Sequence, residues 1–361
     1  MNFDFTDDQQ AIKRTARDFL ADRLKPDRRR ELAEAGDYDD GLWREMAELG
    51  WTGIHLSEDH GGQGLGAVEL AILTEELGYA LAPSPYLASV AASLVLAHAG
   101  SGEQRSRWLP RLASGEAIGT VGLVTDGAAP LVPDADRAEV IVLLDGLSGM
   151  VVEAGAAEID PQPTIDSTRR FARVRAGTGE PLAGDPLPAL DQVEVALAAE
   201  LVGIAQRAME MAVDYAKERE QFGRPIGAYQ AVSHRCAQML LETESARSAT
   251  LYAAWTADHE PESLPLAASM AKAYAADAGW RVTSSSLQVH GGIGFTWEHD
   301  LHFFLKRART DGHLFGSPRS HRERVAELAG LAARPRGRLA PAGRSPHYSR
   351  RKLGISSSPS L

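Results

Sequence analysis

Two long stretches of helical periodicity, joined by a connection too rich in glycine to be helix, constrain this chain more than any other feature. In the first, Leu197, Leu201, Ala205, Met209, Ala212 and Ala216 recur at three- and four-residue intervals; Val232, Cys236, Met239, Leu240, Thr243 and Ala246 do so in the second. Such spacing lines one face of an α-helix with apolar side chains. Between the two stands Arg219-Glu220-Gln221-Phe222-Gly223-Arg224-Pro225-Ile226-Gly227-Ala228-Tyr229-Gln230. Gly223 and Gly227 permit a sharp backbone, and Pro225 cannot continue the first helix. The chain therefore doubles back, and the two helices run antiparallel. Arg219 ends the first helix with a fixed planar cation. That cation suits the helix's own C-terminal carbonyls, or a diphosphate gripped in a two-pronged contact. The turn by itself leaves both open.

Further along, Gln288-Val289-His290-Gly291-Gly292-Ile293-Gly294-Phe295-Thr296 places three glycines in four positions. Such a run lets a backbone pass close to a ligand with its amides facing phosphate or adenine edges. Alone it is a weak signal, because most such runs are turns. Together the two segments resemble the acyl-CoA dehydrogenase family, whose helical domain carries an Arg-x-x-Phe-Gly turn followed by a Gln-x-x-Gly-Gly-x-Gly turn. The resemblance covers residues 1–330. It implies a mainly α fold with a small central β-domain: an N-terminal helical domain (1–117), a β-domain (118–187) and a C-terminal four-helix bundle (188–331). It also implies FAD, with Arg219, Gln221, Phe222, Gly223, Gln230, Gln288, His290, Gly291, Gly292 and Gly294 at the adenine and diphosphate end of a cofactor bound mainly to the neighbouring subunit.

Composition is consistent with that reading and excludes others. Of 361 residues, 44% are hydrophobic and 24% charged, the balance of a soluble globular protein with more than one core. The net charge of −11 argues against nucleic acid as a partner. The single cysteine, Cys236, rules out an internal disulfide and fits a reducing, cytoplasmic setting; its helical position suggests core packing. The acidic start Met1-Asn2-Phe3-Asp4-Phe5 lacks the pattern of a signal peptide. Leu87 to Ala99 is the nearest approach to a membrane span, and small residues dominate it.

Along the chain, Thr6-Asp7-Asp8-Gln9 has capping-box spacing and opens a helix through Ile12, Ala16, Phe19 and Leu20. A second helix contains Leu42, Met46 and Leu49. The glycine-rich loop from Glu58 to Gly66 precedes helices over 68–77, 86–99 and 104–112. Residues 119–186 change character, with short β-branched runs at 120–124, 138–144, 150–152 and 171–174. This stretch is shorter than the family's β-domain. Where the family has Thr-Glu-Pro, this chain reads Val124-Thr125-Asp126, and it has no tryptophan between Trp108 and Trp255. From Ala332 onward the chain carries seven basic residues and no acidic one, and reads as a disordered tail.

The family's reaction removes an α-proton from an acyl thioester while hydride leaves the β-carbon for the flavin, and so it requires one placed glutamate. Here Phe315 occupies the matching position, in Phe315-Gly316-Ser317-Pro318, and phenylalanine cannot accept a proton. Some members place the base on the helix before Arg219. Glu194 misses that position by one residue, Glu200 and Asp311 are no better supported, and the bland reading of both glutamates is a solvated or subunit-facing charge. The catalytic residue is unassigned. Glu298-His299-Asp300-Leu301-His302 has metal-like spacing, but the family carries a similar run without metal, so no metal is expected. His321-Arg322-Glu323-Arg324 reads as a final solvated helix.

The motifs retained serve a neighbour's cofactor, and those lost would serve the chain's own. The resemblance therefore implies two readings. In one, the chain is an FAD-dependent dehydrogenase acting on an acyl-CoA or acyl-carrier thioester in lipid metabolism, as one subunit of a hetero-oligomer or as a homo-oligomer. In the other it is a non-catalytic partner that only completes the FAD site of a true dehydrogenase chain. Either assembly passes its electrons to an electron-transfer acceptor.

Overall fold

The computed structural model describes residues 4–331; the basic tail lies outside the described residues. The chain opens with helix α1 (Asp7–Arg23). The Thr6 hydroxyl accepts from the Gln9 amide at 3.2 Å, and the Gln9 side chain accepts from the Thr6 amide at 3.0 Å, the reciprocal capping expected from the sequence. Helix α2 (Pro26–Ala35) was not legible beforehand. Its charged run Asp27-Arg28-Arg29-Arg30 shows little apolar periodicity, and its buried face includes Arg29, which pairs with Asp300 at 2.9 Å. Helices α3 (Asp40–Glu48), α4 (Ala67–Ala80), α5 (Tyr86–Ala99) and α6 (Gly102–Ala113) follow.

Seven short strands then form two small sheets: β1 (Gly119–Leu123), β2 (Ala129–Pro133), β3 (Val140–Asp145), β4 (Ser148–Glu153), β5 (Glu158–Pro161), β6 (Phe171–Arg175) and β7 (Glu180–Pro181). The first sheet has the order β1-β3-β4-β7, with β1 parallel to β3 and the other pairs antiparallel; the second has the antiparallel order β2-β6-β5. Strands β2, β5 and β7 were missed by sequence reading because each contains proline, which reads as a break. All three lie at sheet edges, where a missing N–H removes no interior ladder bond.

The remaining helices are α7 (Leu187–Glu218), α8 (Gln230–His259), α9 (Leu264–His290), α10 (Leu301–Asp311) and α11 (Pro318–Leu328). Helix α9 packs against α7, α8, α10 and α11, and α7 packs also against α4. The α4–α7 crossing is backbone to backbone. A Cβ at Gly203 would stand 1.9 Å from the Glu75 carbonyl oxygen, and one at Gly78 would stand 2.1 Å from that of Glu200. Only glycine fits there.

One apolar core joins the N-terminal helices to β1, β3, β4 and the start of α7; a second fills the C-terminal bundle; a third lies among the β-strands. Cys236 is half-buried on the rim of the bundle core rather than within it. No helix among the described residues is long and apolar enough to cross a membrane.

Candidate functional site

Because α8 returns antiparallel between them, α7 and α9 end on the same side of the bundle, and the two glycine-bearing turns are brought together there. Arg219 caps α7, its amide donating to the Tyr215 carbonyl at 2.8 Å. Gln221 and Glu220 then pair with Arg224 and Pro225 in a tight hairpin. At its tip Phe222 has φ +52° and Gly223 φ +77°. Two consecutive left-handed residues give the turn whose twist matches a two-residue hairpin. Glycine adopts this backbone freely; phenylalanine does so at a cost of about 1 kcal/mol or more. Phe222 is nevertheless 93% exposed, a large apolar ring held outward.

Around this tip, Arg219, Gln221, Gly223 and Gln230 are all exposed. The Gln221 amide is occupied locally, donating to the Glu220 carbonyl at 2.7 Å. The Arg219 guanidinium makes no hydrogen bond or ion pair with any described residue. An unpartnered exposed guanidinium beside an outward-facing aromatic ring is a surface suited to a planar, anionic partner.

The second turn, Gly291–Phe295, is a short 3-10 helix. Gln288 is exposed, and a Cβ built at Gly291 or Gly292 meets nothing within 4 Å, so this backbone faces open space. Phe295 and Trp297, 71% and 64% exposed, stand beside it. Two residues expected at the ligand behave differently. Gly294 is buried, and a Cβ there would lie 3.0 Å from His290 Cβ: it is glycine for close packing, not for ligand approach. His290 is only 4% exposed. Its Nδ1 lies 2.8 Å from the Ser286 carbonyl, and its ring stacks on Tyr215 at 4.6 Å and 24°. Burial lowers its pKa, so it is neutral at pH 7. His290 belongs to the scaffold beneath the turns. Asp300, from the run with metal-like spacing, is held by Arg29 and Arg30, and among the described residues no group of side chains forms a metal-binding cluster.

The carboxylates weighed as bases are not on a solvated face. Glu200 is buried and bonded by Arg169 at 2.9 and 2.8 Å and by Arg307 at 2.7 Å. Arg169 also donates to Asp311, and Arg307 donates to Asp166 at 2.8 Å and to the Thr168 carbonyl. Residues 166–169, in the loop between β5 and β6, are thereby fastened to α7 and α10. Burial tends to raise Glu200, but the two guanidiniums outweigh it and hold this carboxyl below its ordinary range. Burial pushes Asp311 upward against the pull of Arg169, and the neighbouring Glu200 charge adds to the rise. With Asp311 holding its proton, two guanidiniums face the carboxylates of Glu200 and Asp166, and the buried cluster is near neutral.

Glu194 is likewise buried, bonded by Arg324 at 3.1 Å with His321 Nδ1 at 3.7 Å. The helix bearing His321 and Arg324 is therefore not solvated throughout. His321 is buried, and burial together with Lys272 lowers its pKa to about 3. Lys272, fully buried, donates to the carbonyls of Asp311 at 3.0 Å, Gly312 at 3.2 Å and Gly316 at 3.4 Å, and so fixes the loop that carries Phe315. Phe315 is 7% exposed and packs into the core shared by α4, α5 and the start of α7. Arg169, Arg307 and Lys272 carried no local sequence signal, because their partners lie tens of residues away in the chain.

Comparison with known proteins agrees with this architecture. The N-terminal domain model of acyl-CoA dehydrogenases matches residues 6–116, and the C-terminal domain model matches 187–329. Acyl-CoA dehydrogenase IpdE2 of Mycobacterium tuberculosis is 36% identical over 315 residues, spanning 87% of this chain and 94% of its own. The chain belongs to the acyl-CoA dehydrogenase family. Among solved structures, a chain of the ChsE4–ChsE5 complex from Mycobacterium tuberculosis superposes with a TM-score of 0.84 at 25% identity, covering 92% of this chain and 100% of that one. The glutaryl-CoA dehydrogenase complex with glutaryl-CoA shares the fold, with a TM-score of 0.85 at 22% identity over 92% of this chain and 98% of that one. Family membership makes the chain part of a dehydrogenase lineage of oxidoreductases.

Proposed function

We propose that this protein is one subunit of a hetero-oligomeric, FAD-dependent acyl-CoA dehydrogenase, in which its exposed turns complete the cofactor site of a second dehydrogenase chain. One contrast carries the reading: the turn residues are open to a partner, while every group weighed as a base is locked in the interior. Arg219, Gln288 and the backbone at Gly291 and Gly292 fit the diphosphate and adenine end of FAD. An unpartnered guanidinium meets the charge there, and open glycine backbone lets the ligand approach. When bound, FAD supplies the hydride acceptor for α,β-dehydrogenation of an acyl thioester. This chain's residues hold and orient; the carboxylate that removes the α-proton comes from the partner. That a chain of the ChsE4–ChsE5 complex is similar to this one supports such an arrangement.

Association would bury the outward faces of α8 and α9, where Leu240, Leu241, Tyr252, Met270, Tyr274 and Trp280 are exposed.

The test is flavin absorbance per chain, with the protein purified alone and co-expressed with a full-length dehydrogenase partner. The expected results are little flavin and little acyl-CoA dehydrogenation alone, and about one FAD per pair of chains in the complex. One FAD per chain and full turnover by the isolated protein would sink the proposal, and Glu194 and Glu200 would then be the first residues to mutate.

A further inference from the structure

Tyr215 and His290 lie under the two turns, and the geometry points to a task for them that neither turn performs. We propose that the stacked pair is a strut that sets the spacing of the two turns, so that Tyr215 and His290 are positioning residues for cofactor retention. The inference rests on the cofactor reading above.

Each residue of the pair is joined through its backbone to its own turn. On α7, the carbonyl of Tyr215 accepts the Arg219 amide at 2.8 Å, and the Arg219 carbonyl accepts the Ile226 amide at 2.8 Å as the hairpin returns. The backbone that presents Arg219 thus begins at Tyr215. On α9, His290 is the last helical residue before the Gly291–Phe295 turn, and that turn folds back until Gly294 packs on His290 Cβ.

The imidazole is fixed in orientation. Its Nδ1 donates to the Ser286 carbonyl, and its ring stacks on Tyr215 at 4.6 Å and meets the tilted His299 ring at 4.5 Å. The far side of the second loop is clamped in turn, because Arg30 of α2 donates to the carbonyls of Trp297 and Glu298 and pairs with Asp300. A rigid chain therefore runs from α2 through the 297–300 loop and His290 to Tyr215 and the Arg219 hairpin. Without the stack, each turn would keep its local bonds and lose its distance to the other. A ligand held at both ends feels that loss as weaker binding.

The experiment uses the complex co-purified with a full-length dehydrogenase partner. FAD affinity is measured by fluorescence titration, thermal midpoint by calorimetry, and amide exchange across 219–229 by mass spectrometry, for Tyr215→Ala, Tyr215→Phe, His290→Ala, Arg219→Ala and Phe315→Ala. Tyr215→Ala and His290→Ala should weaken FAD retention about three- to tenfold, the range an aromatic stack supplies, and should speed exchange at the Ile226 and Tyr229 amides. Tyr215→Phe keeps the ring and should behave as wild type in both measurements.

If Arg219→Ala loses FAD while both alanine variants of the pair retain it, the strut is wrong and the cofactor reading stands. If Arg219→Ala also retains FAD, the cofactor reading fails and retention by the strut fails with it. A loss of FAD that merely tracks thermal midpoint, and that Phe315→Ala reproduces, would reduce the pair to general packing and overturn the proposal.

Discussion

Glu200→Gln separates a structural carboxylate from a catalytic one. The Glu200 side chain is almost entirely buried and receives three hydrogen bonds, two from Arg169 and one from Arg307, at 2.7–2.9 Å. Glutamine keeps the shape but turns one acceptor into a donor aimed at a guanidinium, and it removes the charge that two cations share. Breaking a buried ion pair by neutralising one partner costs about 3–5 kcal/mol. Here part of that cost is recovered, because Asp311 loses its negative neighbour and can release its proton to face Arg169. A net loss of about 2–4 kcal/mol follows, which for a chain of this size lowers the thermal midpoint by about 3–5 °C. The assay is thermal and urea unfolding of wild type and variant at pH 7, alongside turnover of the assembled oligomer. If Glu200 were the base, the variant would fold as wild type and lose activity by orders of magnitude. An unchanged midpoint with abolished turnover refutes the structural assignment.

Arg219→Ala should leave the thermal midpoint within about 1 °C, because the side chain has no partner among the described residues. It should weaken FAD binding roughly ten- to a hundredfold through loss of a charge-assisted contact, as read by flavin absorbance per chain after gel filtration. Phe315→Ala should cost about 3–5 kcal/mol through the cavity it leaves in the core, measured by urea unfolding; a cost under about 1 kcal/mol would mean the loop repacks and the ring is not a core element. Asp311→Asn should flatten the pH dependence of stability between pH 6.5 and 8. Burial raises the folded-state pKa of Asp311 from 3.8 to about 8, so the folded state binds a proton the unfolded chain lacks. Stability from this group is full below about pH 4 and is lost as pH rises through 8, by at most about 1.4 kcal/mol per unit. The window starts above the buried Asp134, raised by burial to about 6, and stops where Lys272, lowered by burial to about 8, reverses the slope. Equal slopes in wild type and variant would refute it.

What the sequence by itself determined is local. Helical periodicity gave α7 and α8, the Thr6 capping box gave the start of α1, and the apolar run after Pro85 gave α5 over 86–99, because each signal lies within a few positions of the element it creates. The pairing of two glycine-bearing turns was legible as a resemblance. The prolines of β2, β5 and β7 misled because a sequence does not reveal whether a strand is an edge. The tertiary structure decided what depends on neighbours distant in the chain. Glu200 and Glu194 look like solvated charges until Arg169, Arg307 and Arg324 are folded against them. His290 looks like a ligand contact until Tyr215, 75 positions earlier, is stacked beneath it. Burial and charge pairing are properties of the assembled interior, and nothing in the spacing of these residues encodes which partner each will meet.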